Sequence, residues 1–336
     1  MTRTFDIAVI GATGSIGETL VQLLEEREFP VANLHLLASG ESAGHSLAFK
    51  GKNLRVRALE SFDFASVQLT FFAAGEAVTR EHAERARVAG CALIDLAAAL
   101  PAQQAPRVVP EVNADVLARL SAPYQLTSPS APAIAVALVL AALREQIKVR
   151  RVALTACLAV SNRGRAGVAE LARQTAELLN GRSFEPRLFD RQVAFNLLAQ
   201  VDSPDDSGHG VLERRVVGEL KELLDAPQLM VSASCVQAPV FFGDSLSLSL
   251  QADAAVDLQA ICAALQAAPA LEYVEPGDYP TVVGDAVGQD AVYVGRVRGG
   301  LDDPTELNLW IASDNVRKGA ALNAVQLAEL LIKHYL

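Results

Sequence analysis

Short apolar runs alternate with helix-like segments in the first third of the chain. Leu20, Leu23 and Leu24 have the spacing of one face of an amphipathic helix. Because strands that alternate with helices form a parallel sheet, we expect ligands to bind at the carboxyl ends of its strands. The pattern predicts an α/β domain built on four apolar runs of strand length, which are residues 6–10, 34–39, 68–75 and 92–95.

A different pattern follows in the second half of the chain. Residues 246–250 alternate Leu with Ser, and residues 230–236 also alternate, so each strand would have one buried face and one polar face. Such alternation is typical of sheets that contain antiparallel strands. The pattern predicts a second, mixed α and β domain whose polar sheet face is suited to contact between two copies of the chain.

Residues 11–17 read Gly-Ala-Thr-Gly-Ser-Ile-Gly and lie between the first predicted strand and the first predicted helix. In a dinucleotide-binding βαβ unit, Gly11 permits the tight turn, Gly14 lets the backbone approach a pyrophosphate, and Gly17 allows close packing of helix on strand. The free amides and the dipole at the helix start attract the anion. The motif predicts dinucleotide binding, and a plain glycine turn in an unrelated α/β fold is the alternative.

The end of the second predicted strand is where a dinucleotide-binding fold recognises the adenosine ribose. Ser39, Glu41 and Ser42 lie there. The Glu41 carboxylate could accept hydrogen bonds from the ribose hydroxyls and would repel a 2′-phosphate. It therefore favours NAD over NADP, unless Glu41 is simply a solvated loop residue.

Composition excludes several other classes of protein. The formal net charge is −10 and no Lys/Arg cluster exceeds two residues, so we expect neither a nucleic-acid partner nor binding to an anionic membrane. No apolar run approaches the ~20 residues of a membrane span, and the amino terminus lacks the pattern of a signal peptide. The four cysteines are widely spaced, without the pairing of a metal site or a disulfide framework. We therefore expect a cytoplasmic protein without a metal.

Four motifs resemble the aspartate-semialdehyde dehydrogenase family over nearly the whole chain: residues 11–17, Pro-Glu-Val-Asn at 110–113, Ala-Phe-Asn at 194–196, and the block Ser-Asp-Asn-Val-Arg-Lys-Gly-Ala-Ala-Leu-Asn at 313–323. The resemblance implies a Rossmann-like nucleotide-binding domain and an α+β catalytic and dimerisation domain, in a homodimer that serves amino-acid biosynthesis. The expected boundaries are 1–130 with 312–336 for the nucleotide-binding domain, and 131–311 for the second domain.

The resemblance also implies a chemistry: a cysteine thiolate attacks the aldehyde, hydride passes to NADP, and phosphate releases the acyl group. A thiolate at a helix start and a histidine that moves the proton are needed for this. In this chain Ala131 occupies the cysteine position and Asp244 occupies the histidine position. Alanine cannot form a thioester.

Other positions that match functional residues of the family also carry residues without the expected function. Leu158 replaces the glutamine that orients the substrate, and Gln237 replaces the arginine that binds it. Residues 96–101 lack the arginine expected to hold phosphate, and residues 39–44 lack the arginine of the element that favours the NADP phosphate. Because these losses remove covalent, acid–base and binding contributions together, we expect no aspartate-semialdehyde dehydrogenase activity and no catalytic residue.

Some family elements persist. Glu213 and Lys221 lie in a helix where the resemblance implies substrate contacts, and Arg317 and Lys318 lie in the terminal block; the alternative is that these charges form a solvated structural face. The predicted cofactor-binding residues are Gly11, Thr13, Gly14, Ser15, Ile16, Ser39, Glu41, Ser42 and Asn315.

Two enzymatic alternatives remain. The chain could be an active oxidoreductase on an aldehyde or oxo group, with Ser130 beside the lost nucleophile and Asp244 as a base, although a serine needs a neighbouring base to react. A short-chain dehydrogenase is disfavoured, because those enzymes share a Tyr-x-x-x-Lys pair and none of the five tyrosines has a lysine four residues later.

Overall fold

The chain folds into two compact units, each with its own core. The computed structural model describes residues 3–336 apart from the side chain of Glu41. One unit contains Met1–Pro129 and Ala320–Leu336, and the other contains Ser130–Gly319. Among the described residues, no helix is both long enough and apolar enough to span a membrane.

The first unit is built from alternating strands and helices, as the pattern of apolar runs predicts. The last helix of the chain also belongs to it. The elements through residue 129 are β1 (Phe5–Ile10), α1 (Ser15–Glu26), β2 (Val31–Ala38), β3 (Ser46–Phe49), β4 (Lys52–Arg55), β5 (Arg57–Ala58), β6 (Leu69–Phe72), α2 (Glu76–Val88), β7 (Ala92–Asp95), α3 (Pro110–Asn113) and β8 (Gln125–Thr127).

These strands form a parallel sheet in the order β5-β2-β1-β6-β7-β8, while β3 and β4 form a separate hairpin. The neighbours Phe71 and Phe72 on β6 are both fully buried, and they belong to different core clusters. Since successive side chains of a strand point to opposite faces, the sheet is covered on both sides. The predicted Rossmann-like parallel sheet is confirmed.

The second unit contains the mixed sheet. The remaining elements are α4 (Ala131–Leu143), β9 (Val149–Leu158), α5 (Gly164–Leu179), α6 (Val211–Leu223), β10 (Met230–Gln237), β11 (Asp244–Ala252), α7 (Leu258–Ala267), β12 (Leu271–Tyr273), β13 (Val292–Gly299), β14 (Glu306–Ser313) and α8 (Asn323–His334), the last of which lies in the first unit.

The second sheet has the order β10-β9-β11-β14-β13-β12, with antiparallel pairing at the centre and a parallel pair at each edge. Leu246, Leu248 and Leu250 of β11 are buried, whereas the serines between them are not. Helix α4 is apolar around its whole circumference and packs against α6, α7 and β11. The predicted mixed sheet with one buried and one polar face is confirmed.

The chain returns to the first unit at Ala320 rather than at residue 312. The physical reason is that β14 continues to Ser313 within the second sheet. The following residue is also held in this unit, because Asp314 accepts a hydrogen bond from the Gly288 amide at 2.7 Å. Residues 312–319 therefore belong to the second unit, unlike the predicted boundary.

Two glycines in helices should respond to alanine in opposite ways. A Cβ on Gly17 of α1 would overlap the Gly11 carbonyl oxygen and lie 2.8 Å from the Ala12 Cα, so Gly17→Ala should destabilise the protein by about 1–3 kcal/mol. Gly218 of α6 has open space at that position, so Gly218→Ala should stabilise it by about 1 kcal/mol. Denaturant unfolding of the two variants tests this, and the same sign for both would contradict the packing at Gly17.

Candidate functional site

The glycine turn of the first unit has the geometry of an anion-binding loop. Gly11 has a φ of +79°, and a Cβ there would lie 2.6 Å from the Ala73 carbonyl oxygen. Only glycine fits this turn. Gly14 caps α1 without a side chain, so no capping side chain competes with a ligand for the amides of the first turn.

A cavity of about 260 Å³ adjoins this turn at the carboxyl ends of the strands. Four of the predicted cofactor-binding residues line it, whereas Gly14, Ser15 and Ile16 lie in the turn and first helical turn outside its lining. The Glu41 side chain lies outside the described part of the chain. The lining consists of Ile10, Gly11, Thr13, Ala38, Ser39, Ser42, Leu59, Glu60, Ala74, Val78, Glu81 and His82.

Sequence reasoning did not predict the other eight of these twelve lining residues as cofactor-binding residues. Glu60 follows β5, a strand of two residues that is too short for a periodic signal. His82 lies on the inward face of α2, where the buried residues also include Thr79, Ala83 and Ala86. The helical spacing of that face was the one available signal for His82.

Asn315, the last predicted cofactor residue, lies in the second unit, apart in the chain from the glycine turn. Its side-chain oxygen accepts a hydrogen bond from the Gly243 amide at 2.9 Å, and its side-chain nitrogen donates to the Ser161 hydroxyl at 3.0 Å. Asn315 is buried. These contacts join three segments of the second unit, and they give the side chain a structural role there.

Ala131 begins α4, and its Cβ would lie 2.5 Å from a Cβ built on Gly319. The preceding residue, Ser130, is the N-cap residue of this helix. Its hydroxyl donates to Glu219 Oε2 at 2.5 Å, and its amide donates to the same oxygen at 2.9 Å. Arg215 donates to the other Glu219 oxygen at 2.7 Å. A buried carboxylate thus holds Ser130 at the start of the helix.

Asp244 is 1% exposed at the start of β11. Its Oδ1 accepts hydrogen bonds from the Ala159 amide and the Asn162 side chain, both at 2.9 Å, whereas Oδ2 is buried without a hydrogen-bond partner. Burial raises the pKa of Asp244 to about 7, and the nearby charge of Asp314 acts in the same direction. The carboxyl group therefore fixes the turn after β9 and does not face solvent.

The second sheet brings together three positions at which the sequence predicts replaced functional residues, Leu158, Gln237 and Asp244. Gln237 pairs with Leu158, and the register of β9 against β11 places Asp244 on the other side of Leu158. All three side chains are at most 1% exposed. The Gln237 side-chain nitrogen donates to the Leu158 carbonyl oxygen at 2.7 Å, so this side chain is hydrogen-bonded within the protein.

The persistent charged residues also have structural contacts. Glu213 accepts a hydrogen bond from the Gly210 amide with one oxygen and from the Cys235 amide with the other, both at 2.9 Å. Arg317 donates to Asp290 at 2.5 Å, and Lys318 is 1% exposed. Lys221 lies on the last turn of α6. Glu213 therefore joins a helix start to β10.

Three of the four cysteine thiols, those of Cys91, Cys157 and Cys235, have a raised pKa. Burial raises the pKa of Cys91 to about 11 and that of Cys235 to about 12, and burial together with the charge of Asp244 raises the pKa of Cys157. A reactive cysteine has a lowered pKa. Within residues 3–336 as described, no cluster of His, Cys, Asp and Glu could hold a metal ion.

Comparison with known proteins connects this arrangement to one family. A family model described as "Semialdehyde dehydrogenase, NAD binding domain" matches residues 6–120, and one described as "Semialdehyde dehydrogenase, dimerisation domain" matches residues 140–318. The chain is 63% identical to a USG-1 protein homolog from Azotobacter vinelandii over 99% of both chains. It is 39% identical to aspartate-semialdehyde dehydrogenase 2 from Vibrio cholerae over 100% of both.

A solved structure shows the same fold. It is described as a probable aspartate-semialdehyde dehydrogenase from Pseudomonas aeruginosa and is 58% identical to this chain. The TM-score is 0.97, over 99% of this chain and 100% of that one. The fold expected from the motifs is confirmed.

The buried carboxyl group makes a prediction about pH. The folded-state pKa of Asp244 lies above its ordinary value of 3.8, so its contribution to stability is complete below about pH 4 and is lost as the pH rises through about 7. Asp244→Asn removes this loss. The variant should gain stability relative to the unsubstituted protein between pH 5 and pH 8, by an amount on the order of a few kcal/mol.

Denaturant unfolding at the two pH values measures this difference. Asp206→Asn is the matched control, because Asp206 is exposed. A stability difference for Asp244→Asn that is the same at pH 5 and pH 8 would contradict a buried carboxyl group that changes protonation in this range.

Proposed function

Because the chain belongs to the aspartate-semialdehyde dehydrogenase family, we propose that it is a dinucleotide-binding member without aspartate-semialdehyde dehydrogenase activity. The observation that carries the proposal is Ala131 at the first position of α4. There the helix dipole would stabilise a thiolate, but the methyl group of alanine offers no nucleophile. Without a thiolate at that position, the aldehyde cannot be held as a thiohemiacetal and then oxidised to a thioester.

The position matched to the family's histidine supports the same proposal. A catalytic base has to come within hydrogen-bond reach of the proton that it moves. Asp244 is 1% exposed, and one of its oxygens is shared by a backbone amide and Asn162. Its raised pKa of about 7 would suit proton transfer, but its burial removes it from a substrate.

Charge around the cavity of the first unit supports NAD as the ligand. Glu60 and Glu81 are exposed residues of its lining, and the lining contains no Lys or Arg. The 2′-phosphate of NADP would meet carboxylates there without a compensating cation. This argument does not depend on Glu41, and it also favours NAD over NADP.

The second unit is suited to pairing with another copy of the chain, and we propose a homodimer. The match to the dimerisation domain of the family covers most of that unit. One face of its sheet carries Ser245, Ser247 and Ser249, which are not buried by the chain itself. A polar face of this kind can hydrogen-bond to its own copy across a two-fold axis.

An active oxidoreductase with altered residues is the second candidate, and one observation favours it. The Ser130 hydroxyl has a carboxylate acceptor at 2.5 Å, and that carboxylate is oriented by Arg215. A hydroxyl, an acceptor and an orienting group are the parts of an activated serine. However, the same Glu219 oxygen also accepts the Ser130 amide at 2.9 Å, which favours a structural role at the helix start.

Calorimetric titration with NAD, NADH, NADP and NADPH tests the dinucleotide proposal. We expect saturable binding of NAD or NADH, with NADP and NADPH at least tenfold weaker because of the acidic lining. Tighter binding of NADP than of NAD would overturn the stated preference. If none of the four binds, residues 11–17 are inherited architecture and the binding proposal is wrong.

Two substitutions separate the candidates. Under the leading proposal, a screen of small aldehydes with NAD and NADP shows no turnover, and Ser130→Ala and Asp244→Asn leave dinucleotide affinity unchanged. Under the second candidate, a measurable rate exists and at least one of the substitutions abolishes it. Ser183→Ala is the matched control for Ser130→Ala, because Ser183 is an exposed residue outside the sheets.

A further inference from the structure

A group of apolar side chains is exposed on the second unit, in the segment between β12 and β13. Tyr279, Val283 and Val287 are 60%, 80% and 39% exposed. On the other side of the same π-helical turn, which spans Val282–Ala286, the side chains of Val282 and Ala286 are buried. The turn therefore packs one side into the unit and presents its other side to solvent.

This segment is fixed in place although its apolar side chains are exposed. Trp310 Nε1 donates to the Pro280 carbonyl oxygen at 3.1 Å. Thr281 donates to Asp285 Oδ2 from its amide at 2.7 Å and from its hydroxyl at 3.0 Å. A surface that is already held in one conformation loses little entropy when a partner binds.

The segment covers only part of the outer face of the second sheet. Ala312 of β14 pairs with Ser245 of β11, so both side chains lie on the same face. Ala312 also packs against Val282 of the π-helical turn. The segment therefore lies over the β14 side of this face, and it leaves the serines of β11 to the pairing proposed above.

Acidic residues surround the exposed apolar side chains. Residues 272–293 contain five Asp and Glu residues and no Lys or Arg. Burial raises the pKa of Tyr293, and the charges of Glu272 and Asp285 raise it further, so both carboxylates lie close to one phenol. The 275–287 surface consists of six exposed residues, Glu275, Asp278, Tyr279, Val283, Asp285 and Val287.

The carboxylates of this surface are not neutralised by cations of the chain. Asp278 accepts a hydrogen bond from the Tyr279 amide at 2.8 Å, which leaves its charge in place. In the part of the chain that the structure describes, Glu275, Asp278 and Asp285 form no ion pair with Lys or Arg. The 275–287 surface therefore presents a negative field to a partner.

A basic polypeptide segment with apolar side chains has the chemistry that fits this surface. Exposed apolar patches with a polar rim mark sites of protein interaction, and opposite charge steers the encounter. Aromatic residues such as Tyr279 are enriched at interfaces. A second copy of the chain is less suited to an acidic surface, because its net charge is −10.

We infer that the 275–287 surface binds a basic polypeptide segment, whose apolar side chains contact Tyr279, Val283 and Val287 and whose Lys or Arg residues pair with the surrounding carboxylates. The inference does not depend on dinucleotide binding, and it adds a protein partner of stated chemistry.

Calorimetric titration of the full chain with a synthetic peptide of alternating lysine and leucine tests this inference. We expect saturable binding that weakens about tenfold or more between about 50 mM and about 500 mM salt, because salt screens the ion pairs. A peptide with glutamate in place of lysine, or with serine in place of leucine, should bind about tenfold more weakly or not at all.

Two variants locate the binding on this surface. The double variant Glu275→Gln and Asp278→Asn should weaken binding of the lysine–leucine peptide about tenfold by removing charge. Val283→Ser should weaken it by a similar factor, because it removes an apolar contact. The variants are independent, so one still tests the surface if thermal unfolding shows that the other is not folded.

Each variant has a matched control. The double variant Glu145→Gln and Asp206→Asn changes the net charge by the same amount at exposed positions outside the surface. Leu179→Ser removes an apolar side chain that is 76% exposed on α5. Both controls should bind the lysine–leucine peptide as the unsubstituted protein does.

Three outcomes would overturn the inference. One is that the lysine–leucine peptide does not bind. Another is that the surface variants and their controls have equal affinities, which would show binding to the overall charge of the protein. The third comes from analytical ultracentrifugation: if Val283→Ser converts a dimer to a monomer, the 275–287 surface is a contact between two copies of the chain.

Discussion

Two buried carboxyl groups hold backbone amides of the second unit, one at the start of α4 and one just after the end of β9. Glu219 accepts the amide and the hydroxyl of Ser130 at the start of α4, and Asp244 accepts the amide of Ala159 at the end of β9. A buried carboxylate is costly unless it is hydrogen-bonded, so these contacts constrain the chain strongly. These contacts give both carboxyl groups a structural role.

If the family's reaction is lost, as proposed above, this constraint explains how the fold could be kept. Alanine at the start of α4 is compatible with the helix, and the neutral Gln237 side chain donates to the Leu158 carbonyl oxygen. A buried arginine would need a compensating charge, whereas a neutral glutamine does not. Ala131 and Gln237 are therefore compatible with a buried interior. The glycine turn and the cavity lie in the first unit.

The fold could be predicted from the sequence because its signals are local. The glycine motif at residues 11–17 indicates the turn between β1 and α1, and the Leu/Ser alternation at 246–250 indicates β11. The contacts of the candidate site could not be predicted, because they join residues that are far apart in the sequence. Asp244 and Asn162 are 82 residues apart, and Ser130 and Glu219 are 89 apart. The sequence suggested Asp244 as a base for Ser130, whereas the carboxylate that contacts Ser130 is that of Glu219 in α6.

The nucleotide cavity shows the same limit. Gly11, Thr13, Ser39 and Ser42 belong to motifs and were predicted, whereas His82 comes from a helix face whose partners are set by the sheet. Asn315 belongs to the motif at residues 313–323, but its side-chain amide forms hydrogen bonds within the second unit. A motif therefore identifies a segment reliably, but the partner of each side chain depends on tertiary packing.

Intact-protein mass spectrometry after incubation with aspartate semialdehyde and oxidised NAD or NADP, without phosphate, tests the central claim most directly. An enzyme that forms an acyl intermediate would accumulate it when the phosphate that releases the acyl group is withheld. With Ala131 at the nucleophile position, the protein should keep its unmodified mass. An acyl adduct that maps to Ser130 or to a cysteine would contradict the account and establish a different nucleophile.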